Sequence, residues 1–230
     1  MPLSEDYAQQ GYAISQPLLM EQECDALAAL LSAQHGLADD QAGSRQLLQH
    51  AWCRTLVQRL QQHPTLTCLL PPGLVAVQCT LFEKSLDRNW LVALHQDLSI
   101  PVVARVETPA LTSWSCKQGG WYVQPPLSVL QGLLAVRLHV DACGPHDGAL
   151  RVMPGTHRLG ILDHAARLRC QSAQAAVLCP VVRGAAMVMH PLLLHASSKA
   201  TGNSRRRVLH FLFGPAHLPL GMAWPGRSTD

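Results

Sequence analysis

A histidine and an aspartate stand two positions apart in the segment Ala93-Leu94-His95-Gln96-Asp97-Leu98. Apolar residues flank them, as in a strand, where alternate side chains point to the same face. An imidazole and a carboxylate on one face supply two ligands of the 2-His-1-carboxylate triad, which holds non-haem Fe(II) with open coordination positions. A buried histidine satisfied by a neighbouring aspartate has the same pattern, so the rest of the chain must decide between the two interpretations.

A facial triad needs a second histidine from another strand, and His195 is the best candidate. It ends an apolar run that we predict to be a strand, from which its side chain can face inward. Ser197 follows closely, and Arg206 lies eleven positions after His195 (206 − 195) at the start of the predicted last strand. An inward-facing arginine is costly unless it meets a carboxylate. A dicarboxylate cosubstrate would supply one through a bidentate contact.

A second His-x-Asp sequence, His139-Val140-Asp141, competes with the first. Asp141 precedes His195 by 54 residues (195 − 141), whereas Asp97 precedes it by 98 (195 − 97). A barrel with its first ligands on the second strand needs four more strands before the distal histidine, and only the longer interval holds them easily. We therefore favour His95 and Asp97. Arg137 and His139 then face the pocket as contacts for cosubstrate or substrate, unless their face of the strand is solvated.

Two amphipathic helices followed by about eight short strands are predicted to position these residues. Helical stripes start at Pro17 and run over 44–61, which gives a helical flank at about 17–64. Alternating apolar segments between about 74 and 213 predict the β core. This order favours a mainly β chain, an all-β barrel or double-sheet jelly roll with flanking N-terminal α-helices.

Residues 106–128 are predicted to be an irregular loop, rich in proline, glycine and aromatic side chains. A loop this long in a compact domain is usually functional, often a lid. Trp121 and Tyr122 would then wall a substrate pocket. The alternative is that they only anchor the loop.

Composition excludes several classes of function. The chain has 230 residues, of which 48% are hydrophobic and 14% charged, and this composition argues for one globular domain over 1–230. The net charge of +3 is too small to indicate a nucleic-acid or membrane surface. No apolar run is long enough for a transmembrane helix, and the acidic N-terminus does not resemble a signal peptide, so we expect a cytoplasmic protein. Eight cysteines without a Cys-x-x-Cys sequence are interpreted as reduced thiols. The oligomeric state is not predicted.

Three segments together resemble the phytanoyl-CoA dioxygenase family of Fe(II)/2-oxoglutarate oxygenases, over about residues 10–213. They are His95-Gln96-Asp97-Leu98, the segment from Asp147 to His157 with its Pro-Gly-Thr-His end, and His195 with Ser197 and Arg206. The resemblance implies a double-stranded β-helix, the cupin-like form of the jelly roll. It also implies roles for individual residues: iron ligands His95, Asp97 and His195, and 2-oxoglutarate contacts Arg206 and Ser197. Gln78 matches a polar position that can line the cosubstrate or substrate site.

The resemblance further implies that O2 is used to hydroxylate an aliphatic C–H bond of a small metabolite, with succinate and CO2 as coproducts. Asp97 favours hydroxylation over halogenation, because halogenases of this type lack the carboxylate. Two alternatives remain: a non-catalytic 2-oxoglutarate- or metal-binding module, and a cupin-like metal-dependent isomerase or hydrolase, which would not need Arg206. Apart from residues 205–207, the chain has no basic cluster for the phosphates of CoA, so we expect a small polar substrate.

Overall fold

The structure is a computed structural model that describes residues 3–33, 44–85, 88–202 and 205–226. Residues 34–43 of the predicted helical flank lie outside the described residues. The helices are α1 (Leu3–Gln10), α2 (Glu21–Ala33), α3 (Ala51–Gln62), α4 (Leu127–Gln131) and α5 (His164–Ala173), with 3₁₀ turns at Leu47–Gln49 and Thr156–Leu159. The strands are β1 (Tyr12–Ile14), β2 (Leu74–Lys84), β3 (Val92–His95), β4 (Ile100–Val102), β5 (Thr112–Lys117), β6 (Gly120–Gln124), β7 (Leu134–His139), β8 (Leu150–Val152), β9 (Val177–Cys179), β10 (Ala186–Met189), β11 (His195–Ser197) and β12 (Arg206–Pro215).

Two antiparallel sheets form the β core. The larger has the order β1-β10-β7-β12-β2, and the smaller has the order β3-β11-β8-β9. Each sheet receives strands from early and late parts of the chain, and from β7 onward the chain passes from one sheet to the other at every step except between β8 and β9, which pair with each other. This arrangement confirms the prediction of a mainly β, cupin-like jelly roll with N-terminal helices.

Strand β12 lies between β2 and β7 in the larger sheet and is buried from Arg206 to Gly214. Its two faces differ, because side chains alternate along a strand. Phe211 and Phe213 belong to the apolar core that includes residues of α2 and α3. Arg206 and His210 instead line a cavity between the sheets. The sheet therefore has an apolar face toward the helices and a polar face toward the cavity.

An unpredicted helix, α1, precedes the predicted flank, and the helix predicted to start at Pro17 begins later than expected. Leu18 and Leu19 donate backbone hydrogen bonds to the Gly184 carbonyl, which holds the chain out of helical geometry after Pro17. Helix α2 then starts at Glu21. The predicted helix over 44–61 is divided into a 3₁₀ turn and α3, because the residue between them, His50, has extended backbone angles.

Two predictions about local structure were wrong. The segment 106–128 is not irregular: it contains the antiparallel β5–β6 hairpin, whose turn is formed by Gln118 and Gly119 at positive φ, and the start of α4. His195 begins a strand rather than ending one, because the buried residues before it form a turn, in which the Leu193 N–H donates to the His190 carbonyl. Among the described residues, no helix is both long and apolar enough to cross a bilayer.

Candidate metal centre

The two histidines of the candidate triad face each other across neighbouring strands. His95, at the end of β3, is the register partner of His195, at the start of β11, and their ring centroids are 4.2 Å apart. Asp97 completes the group: one oxygen lies 3.4 Å from His95 Nε2 and the other 3.7 Å from His195 Nε2. One ligand atom from each residue lies within 4.8 Å of the others, so a single metal ion can reach all three.

Backbone carbonyls orient both imidazoles. Nδ1 of His95 lies 2.9 Å from the Ala93 carbonyl oxygen, and Nδ1 of His195 lies 2.9 Å from the Leu193 carbonyl oxygen. A carbonyl only accepts hydrogen bonds, so each Nδ1 carries the proton and each Nε2 keeps its lone pair. Both lone pairs are directed toward Asp97, as metal ligation requires.

The ionisation of His195 and Asp97 suits cation binding. Burial lowers the pKa of His195 to about 4, although the charge of Asp97 opposes the shift. Burial also tends to lower the pKa of His95, but the neighbouring Asp97 carboxylate and the Ala93 carbonyl together outweigh that effect, and the pKa is raised. Burial would raise the pKa of Asp97, yet the two neighbouring histidines hold it well below its usual range. The carboxylate is therefore ionised at neutral pH.

Gln96 fixes the loop between the first two ligands. Its side chain is buried and follows directly after the end of β3. The amide nitrogen donates to the Leu192 carbonyl at 2.7 Å and the Gly160 carbonyl at 2.8 Å, and the amide oxygen accepts from the Leu162 N–H at 2.8 Å. These bonds connect the first ligand pair to the turn that precedes His195.

The triad opens into a cavity of about 410 Å³. Eight of the predicted site residues line it: Gln78, His95, Asp97, Tyr122, Arg137, His195, Ser197 and Arg206. His139 and Trp121 are not among the described lining residues. Trp121 lines a neighbouring cavity of about 830 Å³, which shares Gln78 and Tyr122 with the first.

The lining of the smaller cavity is strongly cationic. Five of its described residues are lysine or arginine, and Asp97 is the only carboxylate among them. Three of the cations, Lys84, Arg137 and Arg206, are almost completely buried. Such a charge distribution favours an anionic ligand beside the triad, since buried charges need compensation.

The side chains at one end of this cavity form a hydrogen-bonded cluster. Arg206 donates to the Gly148 carbonyl at 2.7 Å, while its buried Nε has no hydrogen-bond partner. Ser197 donates to the same carbonyl at 3.1 Å and accepts from Lys84 Nζ at 2.6 Å. The arginine, the serine and the lysine therefore converge on one region of the wall.

Arg137 is another buried cation of the cavity wall. Its NH1 group lies 3.0 Å from His210 Nδ1, and the guanidinium lies 5.5 Å above the centre of the Phe82 ring. Burial and the charge of Arg206 lower its pKa to about 10, although Asp97 opposes the shift. Its Nε is also buried without a partner. Arg137 thus has donors available for a ligand of the cavity.

The competing His-x-Asp pair does not form a metal site in the part of the chain that the structure describes. Asp141 instead accepts two hydrogen bonds from the Arg207 guanidinium, at 2.7 and 2.8 Å. His139 is buried, its Nδ1 lacks a partner, and burial lowers its pKa well below its usual range. His95, Asp97 and His195 are the one group of potential ligands brought together among these residues.

Sequence reasoning missed Lys84, Gln96 and His210 as site residues. A signal was present for Lys84, because it continues the alternation of Gln78, Thr80 and Phe82 on one face of β2. Lys84 is the last residue of this strand. The contacts of Gln96 depend on loops far away in the sequence and had no local signal.

A search of the curated proteins found no match. The family profile described as phytanoyl-CoA dioxygenase (PhyH) matches residues 7–208. Among solved structures, the non-heme alpha-ketoglutarate-dependent carbocyclase SnoK from nogalamycin biosynthesis superposes with a TM-score of 0.69 at 19% identity, covering 93% of this chain and 83% of that chain.

Two further structures share the fold. EctD from S. alaskensis gives a TM-score of 0.69 at 16% identity and covers 96% of this chain and 80% of that chain. HygX from Streptomyces hygroscopicus, solved with nickel and 2-oxoglutarate bound, gives 0.63 at 13% identity and covers 94% of this chain and 87% of that chain. At these identities the similarity establishes the fold alone.

Proposed function

The chain belongs to the phytanoyl-CoA dioxygenase family, and from this premise we propose that it is an Fe(II)/2-oxoglutarate-dependent dioxygenase that hydroxylates an aliphatic C–H bond of a small metabolite. The observation that carries the proposal is the convergence of two imidazole Nε2 atoms and one carboxylate on a single point at the wall of a cationic cavity. This donor set is the one that non-haem Fe(II) oxygenases use.

The residues present fit both cofactors. His95, Asp97 and His195 would hold the metal ion, with the two Nδ1–H groups anchored to carbonyls so that the imidazoles keep their orientation. The unpartnered Nε of the buried Arg206 is available to the far carboxylate of a dicarboxylate, and Ser197 lies beside it. When bound, iron and 2-oxoglutarate supply the activation of O2 for C–H oxidation, with release of succinate and CO2.

The protein contributes orientation and a shaped cavity to this chemistry. Burial of His195 and Arg206 keeps one side of the site dry, which strengthens the electrostatic attraction between the arginine and a carboxylate. Tyr122 and Gln78 connect the cavity with its larger neighbour and are proposed to contact substrate or cosubstrate. The cavity volume of about 410 Å³ suits a small molecule beside 2-oxoglutarate better than a CoA thioester.

The test is an anaerobic titration of the purified protein with Fe(II) and 2-oxoglutarate, observing the visible metal-to-ligand charge-transfer band of the chelate. We expect the band in the wild type and its loss in His195→Ala, while the control His164→Ala, at an exposed position, retains it. Asp97→Ala is expected to abolish succinate formation.

A wild type that folds and binds iron but shows no band would contradict the proposal. The reaction type is tested separately by product analysis under O2 with candidate substrates. A hydroxylated product with one equivalent of succinate agrees with the proposal. A cyclised or epimerised product would contradict hydroxylation and indicate another reaction of the same family.

A further inference from the structure

The cationic end of the cavity contains a lysine that the proposed chemistry has not yet used. Lys84 on β2 is the register partner of Arg206 on β12, so the two side chains enter the cavity side by side. The Lys84 side chain is only 1% exposed, which makes it one of the most deeply buried large side chains among the described residues. A lysine is almost never buried to this degree unless its charge has a partner.

The structure provides no anionic partner for this ammonium group among the described residues. Two of its three N–H donors are used, one by Ser197 Oγ and one by the Ser198 carbonyl, each at 2.6 Å. Both acceptors are neutral, and neither Lys84 nor Arg206 forms an ion pair with a described carboxylate. Two buried cations therefore lie beside each other without a compensating charge, an arrangement that is unfavourable until an anion arrives.

Each of the two cations keeps a donor without a hydrogen-bond partner. Lys84 keeps one N–H, with its Nζ 5.4 Å from the centre of the Trp90 ring, and Arg206 keeps its unpartnered Nε. Both side chains lie next to Gly148. Arg206 donates to the Gly148 carbonyl, and a Cβ added to this glycine would lie 3.0 Å from Lys84 Nζ. A single carboxylate can accept from both groups, since it has two oxygens and about four lone-pair sites.

Lys84 also orients the hydroxyl group of Ser197. The Oγ atom accepts from Lys84 at 2.6 Å, so its own proton must point elsewhere, at present to the Gly148 carbonyl at 3.1 Å. That longer bond is easily exchanged for a shorter one to a carboxylate oxygen. The lysine thus supplies a charge and also leaves the serine hydroxyl available as a donor.

We propose that Lys84 is a cosubstrate-binding residue, which together with Arg206 and Ser197 forms a receptor with two positive charges for the far carboxylate of a 2-oxo diacid. This inference rests on the proposed function and adds to it the residue that makes the site select a dicarboxylate over a 2-oxo acid with a neutral end.

The first experiment compares two cosubstrates in the Fe(II)-loaded protein under anaerobic conditions. 2-Oxoglutarate and 2-oxopentanoate have the same five-carbon chain and the same chelating end, but only 2-oxoglutarate has the far carboxylate. We expect Lys84→Met to raise the Kd of 2-oxoglutarate roughly 10- to 100-fold, the effect of losing one hydrogen bond to a charged group. The Kd of 2-oxopentanoate should not change, because that ligand never contacts the lysine.

Lys199→Met is the matched control, since it removes the same charge from an exposed position in the loop that follows β11. An unchanged Kd of 2-oxoglutarate in Lys84→Met would overturn the proposal. Equal weakening of both cosubstrates would also overturn it, because a purely structural role predicts that result. Absence of a charge-transfer band in the wild type would instead refute the proposed function, so the two failures are distinguishable.

A measurement on the wild type keeps the proposal testable if Lys84→Met fails to fold. Burial, followed by the charges of Arg206 and Arg137, lowers the pKa of Lys84 to about 8. The protonated form binds the carboxylate, so the affinity for 2-oxoglutarate should be complete below about pH 8 and decline above it, with one proton taken up on binding.

2-Oxopentanoate serves as the internal reference for this titration, since it reports every other ionisation of the loaded site. A ratio of the two Kd values that stays constant between pH 7 and pH 9.5 would refute the assignment. Lys84→Arg, which keeps the charge and does not titrate in this range, should bind 2-oxoglutarate with no decline above about pH 8.

Discussion

Replacement of Gln96 by leucine tests how the protein positions its candidate metal ligands. The change removes three hydrogen bonds, at 2.7 to 2.8 Å, and leaves the carbonyls of Gly160 and Leu192 and the N–H of Leu162 without that partner. At about 1 kcal/mol for each net hydrogen bond, the free energy of unfolding should fall by about 3 kcal/mol. Because Gln96 lies between His95 and Asp97, the affinity for the metal should fall as well, by roughly 10- to 100-fold.

The assay combines urea unfolding of the metal-free protein with a Co(II) titration followed by its visible absorption. Gln171→Leu, an exposed position on α5, is the control for the change of residue type and should leave both quantities unaltered. Unchanged metal affinity in a destabilised Gln96→Leu protein would refute the positioning role and leave only a structural one. Unchanged stability would refute the hydrogen-bond argument itself.

Three further changes test other parts of the fold. Asp141→Asn weakens the bidentate contact with Arg207 and should lower the free energy of unfolding by about 2 kcal/mol, while the affinity for Co(II) is kept. Loss of Co(II) binding in this variant would instead indicate that His139 and Asp141 are the ligand pair. Gly184 has a φ of +77°, and a Cβ there would overlap the Leu19 carbonyl oxygen. Gly184→Ala should therefore lower the free energy of unfolding in urea by about 1–3 kcal/mol or more, and an unchanged value would contradict the observed backbone. Trp224 is 2% exposed, so Trp224→Ala should lower the free energy of unfolding in urea by about 3–5 kcal/mol. A decrease below about 1 kcal/mol would mean that the C-terminal segment does not pack on the barrel.

The sequence was sufficient to predict the mainly β fold and to nominate the triad, because both predictions started from short-range patterns. Alternation of side chains along a strand places Arg206 on the cavity face, whatever the partner strands are. The spacing of two residues was enough to bring Asp97 beside His95, although β3 ends at His95. The assignment of His195 as the third member followed from its place after an apolar run, although that run proved to be a turn. The ligand roles of these residues stay predictions until metal binding is measured.

Features that depend on distant contacts were not predictable. The β5–β6 hairpin was missed because its turn, Gln118-Gly119, lacks the Asn-Gly or Asp-Gly signal and its first strand is polar. The burial of Trp224 in the apolar cluster with Leu133 and Leu212 depends on how the segment after β12 returns to the barrel. The role of Lys84 required knowledge of the strand that pairs with β2.

The long pairing of β2 with β12 determines when the protein can acquire its metal. The nearest ends of these strands, Lys84 and Arg206, are separated by 122 positions (206 − 84), and the ligands themselves come from early and late segments. During synthesis the first two ligands leave the ribosome long before the third, and the cationic wall is completed only when the last core strand emerges. Closure of such a non-local sheet is a slow step, because chain entropy is lost before the contacts form. We therefore expect metal loading to be a late event in biogenesis, and translation that stops before β12 to yield a chain with the candidate ligands but no enclosed site to hold the ion.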